Sequence, residues 1–252
     1  MSPAKVCIFP QPRGLGGPAS FSARLSTALE QRGISVTAQI NDPSVSAVLV
    51  MGGSRHLNSL RQAKKRGARL VQRLNGMNWV HRRTATGLRH FLRAEVNNWI
   101  LATIRARLAD RIIYQSNFTR DWWQRVYGAA AAPARVIYNG VDLNACSPEG
   151  AHQRPPEHIR ILAVEGRYGG GYDIGLENAL ALVNTLNQAQ NPPRFELLVA
   201  GEVPEQARMR AQAAGAWVTW AGVVPKEQIP TLDRSAHVFF SADLNAACHN
   251  AV

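Results

Sequence analysis

Short runs of aliphatic and β-branched residues alternate along the chain with longer stretches whose apolar positions recur every three or four residues. Lys5–Phe9 reads as a first strand. Pro18–Arg32 reads as a helix, with Phe21, Leu25 and Leu29 spaced along one face. Gly33 stands where helices take glycine at their C-terminus. Ser35–Ile40, Ala47–Met51 and Arg69–Leu74 read as strands, with a basic helix near His56–Arg66 between the last two. Gly87–Ala109 is the longest predicted helix. Arg111–Gln115 follows as a strand, Asn117–Val126 as a helix and Arg135–Tyr138 as a strand.

A polar, proline-containing stretch without useful periodicity, Asn139–His158, then reads as an interdomain linker. The alternation restarts with strands at Arg160–Val164, Phe195–Ala200, Trp217–Trp220 and His237–Ser241. The helices predicted between them are Ile174–Gln190, Glu205–Ala214 and Ile229–Arg234. Repeated strand-then-helix units build parallel sheets covered on both faces by helices. The expected fold class is therefore α/β, with two Rossmann-like doubly wound domains at residues 1–150 and 151–252. About four strands are expected in the second domain, and the chain stops just after the last, so that domain is expected to be incomplete.

Composition narrows this picture. The apolar fraction of 46% is spread along the chain, as in a globular protein. The longest apolar helical stretch, near Trp99–Ile104, is interrupted by Asn97, Asn98 and Arg105, well short of the ~20 residues a bilayer span requires. The start shows no secretory pattern, and Cys7, Cys146 and Cys248 suggest neither a disulfide framework nor a zinc site. A cytoplasmic location, with peripheral attachment to the inner face of a membrane, is the expectation. The net charge of +12 is unevenly placed. Residues 1–150 hold 21 Lys and Arg against 7 Asp and Glu, whereas residues 151–252 hold 8 against 10. A basic excess confined to the first part points to an anionic partner or simply to solubility. No nucleic-acid-binding motif is found, which disfavours that partner.

Ligands of doubly wound folds bind outside the carboxyl ends of strands, so the loops after strands hold the candidate chemistry. Gly14-Leu15-Gly16-Gly17-Pro18-Ala19 formally reads as a dinucleotide fingerprint, but Pro10–Arg13 separate it from the first strand. A glycine-rich entry to a helix that admits an anion, or an ordinary turn, remains. Asn75, Gly76 and Trp79 follow a strand and suit sugar recognition through amides and an indole face. The same residues also read as a turn with a core tryptophan. His81 lies close by, either as a chemical group or as a packed side chain. Asn139-Gly140 is a turn signal at a strand exit. Arg167 follows the first strand of the second domain, and arginine pairs bidentately with phosphate oxygens. Gly201-Glu202 and Gly222-Val223 follow the next two strands, and Asp243, His249 and Asn250 follow the last.

The order of these segments resembles the family-4 glycosyltransferases of the GT-B fold. The resemblance is carried by the Gly16-Gly17 loop, Arg73-Leu74-Asn75-Gly76, Ala109–Ser116 with Phe118, and Val136–Asp142. It continues through Ile161–Arg167, Glu196–Gly201, Ala221-Gly222 and Ala236–Ser241 with the Cys248-x-Asn250 segment, covering nearly the whole chain. It implies transfer of a sugar, with retention, from a nucleotide diphosphate sugar to a glycan or lipid-linked acceptor, without metal or other cofactor. In this reading Gly16, Gly17, Arg167, Gly201, Glu202, Gly222, Val223 and Asn250 bind the donor. Asn75, Gly76, Trp79 and Asn139 face the acceptor, and His81 and Asn75 are the catalytic candidates. The sequence departs from the family pattern in three places. Gly169-Gly170-Gly171-Tyr172 replaces an expected lysine, Asn75 stands where an aspartate is expected, and the expected carboxylates beyond Asn250 are absent. A non-catalytic nucleotide- or polyanion-binding relative and an NAD-dependent oxidoreductase are the alternatives. The cations Arg61, Lys64, Lys65, Arg66, Arg82 and Arg83, with Arg69, Arg89 and Arg93 nearby, form the expected face for an anionic membrane or a lipid-phosphate acceptor.

Overall fold

The computed structural model describes residues 4–12, 17–83, 87–168, 173–189, 193–213 and 215–241. The chain forms two compact units, Met1–Asn139 and Gly140–Val252. The division falls at the front of the expected linker rather than at residue 150. Side-chain bonds explain why most of that stretch goes with the second unit. Arg234 donates to Ser147 O at 3.1 Å and to Ala151 O at 3.4 Å, and Arg154 donates to Arg234 O at 3.1 Å.

The first unit is built on six parallel strands: β1 (Lys5–Phe9), β2 (Ser35–Thr37), β3 (Ala47–Met51), β4 (Arg69–Leu74), β5 (Arg111–Tyr114) and β6 (Ala134–Val136). Their order is β2-β1-β3-β4-β5-β6. β3 and β4 lie inside this sheet, and Val48, Val50, Leu70 and Leu74 are fully buried, as expected of parallel strands covered on both faces. The helices are α1 (Gly17–Glu30), α2 (Leu57–Lys65), α3 (Leu88–Thr103) and α4 (Asn117–Tyr127). Gly33 follows α1 at φ +73°. Ser116 caps α4, its Oγ accepting from Thr119 N at 3.1 Å.

Two of the boundaries that differ from the periodicity have a visible cause. The strand expected over Ser35–Ile40 ends at Thr37, because Thr37 Oγ1 accepts from Gln39 N at 3.1 Å and turns the chain. The single helix expected over 87–109 ends at Thr103 and continues as a π-helical turn, Ile104–Leu108. That turn places Arg105 inside the protein. Its Nε donates to Tyr114 Oη at 2.9 Å, its Nη2 donates to Gly128 O at 2.6 Å, and its guanidinium lies over the Trp123 ring.

The second unit has a four-stranded parallel sheet among its described residues: β7 (His158–Arg167), β8 (Arg194–Glu202), β9 (Val218–Gly222) and β10 (Val238–Phe239), in the order β10-β7-β8-β9. Helices α5 (Asp173–Gln188), α6 (Glu205–Ala213) and α7 (Ile229–Arg234) complete it. Leu176, Ala179 and Val183 recur along α5 and pack on Ile161, Leu197 and Val199 of the sheet. The expected fold class, doubly wound α/β in two parts, is what the chain adopts.

The strand orders set the binding addresses. Each sheet has a first strand flanked on both sides, so the direction of progression reverses there. In the first sheet this happens between β1 and β3, and in the second beside β7. Crevices in such folds open outside the carboxyl ends of the strands at these reversal points.

Candidate functional site

Two strand-end clusters contain most of the expected residues. In the first unit, β4, β5 and β6 are neighbours, so the residues at or just beyond their carboxyl ends come together. Arg73 is buried. Its guanidinium carbon lies 3.6 Å from the centre of the Phe21 ring on α1 and its Nη2 donates to Asn139 Oδ1. Asn139 Nδ2 in turn donates to Gln115 Oε1 at 3.4 Å. Asn139 is thus part of a polar chain that spans three strand ends and the first helix. Arg73 and Gln115 are members that residue-by-residue reading left unassigned, although both belong to the quoted motifs.

The loop after β4 is held from two sides. Trp123 Nε1 donates to Asn75 O at 2.8 Å. Asn98, fully buried in α3, accepts from Asn78 N at 2.9 Å and donates to Asn78 O at 2.8 Å. An asparagine in an otherwise apolar helix segment was the available signal for this anchor. Asn75 itself is exposed, while Gly76 and Trp79 are partly exposed. These three therefore sit on a rigidly tethered loop with surface left for a ligand.

His81 behaves differently. It is only 5% exposed, packs edge-on against Phe91 at 5.1 Å, and its Nε2 lies 2.7 Å from Glu95 Oε1. Arg82 grips the same carboxylate with two donors, at 2.6 and 2.8 Å. Hydrogen bonds from Arg82 and then His81 hold the Glu95 carboxyl down at about 2. Burial and this tie argue for a positioning role for His81 rather than contact with a substrate.

The expected anion face also divides. Lys64 is bound to Asp110 at 2.9 Å and to Leu108 O at 2.7 Å, Arg66 donates to Ile40 O at 2.8 Å, and Arg61 donates to Asn58 Oδ1 at 3.1 Å. Lys64 and Arg66 thus tie α2 to the fold, whereas the Arg61 bond stays within the helix. Lys65 and Arg83 are exposed, and Arg82 is engaged with Glu95.

In the second unit the candidate donor residues lie at the carboxyl ends of β7, β8 and β9. Arg167 closes β7 and pairs in register with Glu202, which closes β8. Arg167 Nε and Glu202 Oε1 are 3.7 Å apart, and the two side chains are 70% and 59% exposed. Both reach into solvent, so the guanidinium is available to an anion. Gly201 makes this ledge possible. Its φ is +136°, and a Cβ there would lie 2.0 Å from Glu165 O, so only glycine permits the approach of β8 to β7. The strand register shifts at this point. Tyr168 then turns inward and is fully buried. Its hydroxyl has no hydrogen-bond partner among the described residues, and burial, aided by the Glu165 charge, pushes its pKa up. Gly222, at φ +67°, ends β9, and Val223 beside it is exposed. Gly17 is the first residue of α1, whereas Gly14, Gly16, Gly169–Gly171, Tyr172, Asp243, Cys248, His249 and Asn250 lie outside the described residues.

The opposite edge of the second sheet carries a closed network. Glu196 is buried and accepts from Arg160 Nε at 2.6 Å, from Thr219 Oγ1 at 2.6 Å and from the His158 ring at 2.8 Å. Burial works against this carboxylate, but the three hydrogen bonds outweigh it and hold its pKa below the usual range. With its partners already in place, the network is structural.

One alternative reading loses ground on geometry. β1 ends at Phe9 and α1 begins only at Gly17, which is too long a gap for the tight first turn of a dinucleotide fingerprint, so the oxidoreductase reading loses its basis. Among the described residues no group of three or more His, Cys, Asp or Glu side chains is arranged to hold a metal, and no helix is long and apolar enough to cross a membrane.

Comparison with known proteins bears on the family and the fold. Residues 47–145 match the model of Glycosyltransferase Family 4. A stretch of 98 residues is 32% identical to the alpha-1,3/1,6-mannosyltransferase alg2 of Schizosaccharomyces pombe, taking in 38% of this chain and 19% of that relative. The match thus spans about a fifth of the relative's length. Among solved structures, Anabaena HepE in complex with UDP-glucose aligns with a TM-score of 0.63 and 16% identity, over 93% of this chain and 72% of the other. Sucrose-phosphate synthase of Thermosynechococcus elongatus aligns with a TM-score of 0.67 and 16% identity, over 94% and 74%. The fold is GT-B, and the family-4 glycosyltransferase resemblance read from the motifs stands.

Proposed function

We propose that the chain is a retaining glycosyltransferase of the hexosyltransferase type, moving a sugar from a nucleotide diphosphate sugar to a glycan or lipid-linked acceptor. The observation that carries this reading is the exposed Arg167 guanidinium at the end of β7, beside the point where the second sheet reverses its order. A diphosphate leaving group takes the electrons of the broken anomeric C–O bond. Oriented cations and N–H donors stabilise that developing charge better than water does. Arg167 supplies the cation, with Glu202 beside it, and Gly201, Gly222 and Val223 provide a ledge on which the nucleotide can lie. Gly16, Gly17 and Asn250 complete the donor set in this reading. On the first unit, Asn75, Gly76 and Trp79 are the acceptor loop, held by Trp123 and Asn98, with Asn139 on the acceptor side beside it.

The UDP-glucose bound by Anabaena HepE and the sugar transfer named for the yeast relative support this choice of donor class. Retention and the acceptor class rest on the family resemblance, and no metal or other cofactor is invoked. The experiment is calorimetric titration of UDP, GDP and ADP into the wild-type chain and Arg167→Ala. One nucleoside diphosphate should bind, and the substitution should weaken it by about tenfold or more, the worth of one charge-assisted phosphate contact. Equal affinity in the variant would overturn the role of Arg167.

A further inference from the structure

Helix α4 and the exit of β6 present aromatic rings to the solvent. Phe118 is 57% exposed, Tyr138 is 58% exposed and Trp122 is partly exposed. Phe118 and Trp122 are four residues apart on α4, so they share a face of the helix. Their ring centres lie 5.5 Å apart with the planes inclined at 47°. Tyr138 is joined to the same end of the helix, because Asn117 Nδ2 donates to its Oη at 3.1 Å. Trp122 also packs on the core around Leu74, Tyr114 and Trp123, which fixes the rings to the sheet. Single exposed apolar residues are ordinary, but three aromatic rings grouped at one end of a helix form a surface that calls for an occupant. The groups beside the rings are polar and carry little net charge. Arg120 is paired with Asp121 at 2.8 Å, and Asn117, Gln124 and the Tyr138 hydroxyl supply neutral donors and acceptors. Arg125 stands further on, in the last turn of α4.

The geometry points to a binding site for a neutral glycan chain on Phe118, Trp122 and Tyr138. The faces of a pyranose ring carry C–H bonds that pack on aromatic faces, while its hydroxyls reach amides and phenols at the edge. Two rings 5.5 Å apart with inclined planes suit successive sugar units of a chain better than one flat molecule. Charge decides between this ligand and a single-stranded nucleic acid, whose bases also stack on aromatic rings. Such a strand needs a cationic track for its phosphates, and Arg120, on α4 between Phe118 and Trp122, is already paired with Asp121. A second copy of the chain would bury this ion pair and the neighbouring amides together with the rings, against the preference of an interface core for uncharged apolar surface. The inference does not depend on the transferase reading, because binding here requires neither a donor nor transfer.

The test is calorimetric titration of the full chain, without nucleotide, with neutral hexasaccharides of mannose, glucose, galactose and N-acetylglucosamine. At least one should bind, and the corresponding monosaccharide should bind more weakly by about tenfold or more, since it covers one ring at a time. Phe118→Ala with Tyr138→Ala should weaken the hexasaccharide by about tenfold or more. Leu88→Ala with Leu92→Ala, which removes exposed apolar surface elsewhere in the unit, should leave the affinity unchanged. Arg167→Ala should also bind as the wild type does, which separates this site from the donor site. All five positions are exposed, so thermal melting should be unchanged and confirm folding. No binding of any hexasaccharide, equal binding of the monosaccharide, or unchanged affinity in the Phe118/Tyr138 variant would overturn the proposal. So would an oligothymidylate that binds more tightly than every hexasaccharide and is lost in that variant, or a dimer in sedimentation equilibrium that the variant dissolves.

Discussion

Replacing Gly201 with alanine isolates the contact on which the strand-end ledge of the second unit is built. A Cβ there would meet Glu165 O at 2.0 Å and the Tyr168 ring at 3.3 Å. A carbon and a carbonyl oxygen come no closer than about 3.3 Å even in a favourable contact, so the ends of β7 and β8 would have to part by roughly 1 Å. Forcing such a shift costs about 1–3 kcal/mol. The backbone at φ +136° adds about 1–3 kcal/mol more, because a side chain does not tolerate that conformation. A loss of about 4 kcal/mol follows for the second unit. Gly215→Ala is the matched control. It has φ +67° with nothing within 4 Å, so only the backbone penalty of about 1–2 kcal/mol applies. Hydrogen exchange read segment by segment suits a chain of two units, since it reports the opening free energy of β7 and β8 without assuming one global transition. Gly201→Ala should lose protection there by at least about 2 kcal/mol more than Gly215→Ala. Equal losses would mean that β7 and β8 separate freely, and that the close approach does not hold Arg167 and Glu202 together.

Two further outcomes bear on the first unit. Arg105→Ala removes the donors to Tyr114 Oη and Gly128 O and should destabilise that unit by about 2–4 kcal/mol in urea unfolding, with Arg105→Lys recovering only part. A loss under about 0.5 kcal/mol, as for an ordinary surface change, would show the buried guanidinium to be dispensable. The folded carboxyl of Glu95 is held at about 2, below its unfolded value of about 4.3. Its contribution is therefore complete above the unfolded value and disappears as pH falls through the folded one. The stability gap between wild type and Glu95→Gln, measured by urea unfolding at stepped pH, should be constant near neutrality and close as pH falls towards 2. A gap that persists unchanged in acid would refute the account in which hydrogen bonds from Arg82 and His81 stabilise the Glu95 carboxylate.

Much of the architecture was legible in the order of residues. Aliphatic runs such as Ala47–Met51 and Arg69–Leu74 became strands with the expected ends, since a buried parallel strand needs little more than a short β-branched stretch between turns. Local chemistry also read directly, as at Gly33 and Ser116, where the determinants lie within a few residues. Strand-exit motifs marked Asn139, Arg167 and Gly201 as site candidates for the same reason. The π-helical turn that ends α3 and the bonds that draw the stretch after Asn139 to the second unit depend on partners distant in sequence, and neither showed in the periodicity.

What tertiary structure decided was which groups meet and which remain open to solvent. Arg73, Gln115 and Asn139 join only because β4, β5 and β6 are adjacent, and Arg167 faces Glu202 only because β7 pairs with β8 in that register. The sequence left His81 open between chemistry and packing and marked the α2 cations as a surface, yet packing closed the first onto Glu95 and turned two of the others to Asp110 and Ile40 O. Helix α3 makes the same point from the other side. Its sequence carries apolar residues around more than one face, and a period of 3.6 cannot say which face the sheet will cover. Ala94 and Asn98 are buried, Asn98 against the loop after β4, and Leu88, Leu92, Val96 and Trp99 are left to the solvent. Periodicity is a local property of the chain, whereas burial belongs to the neighbours that folding brings.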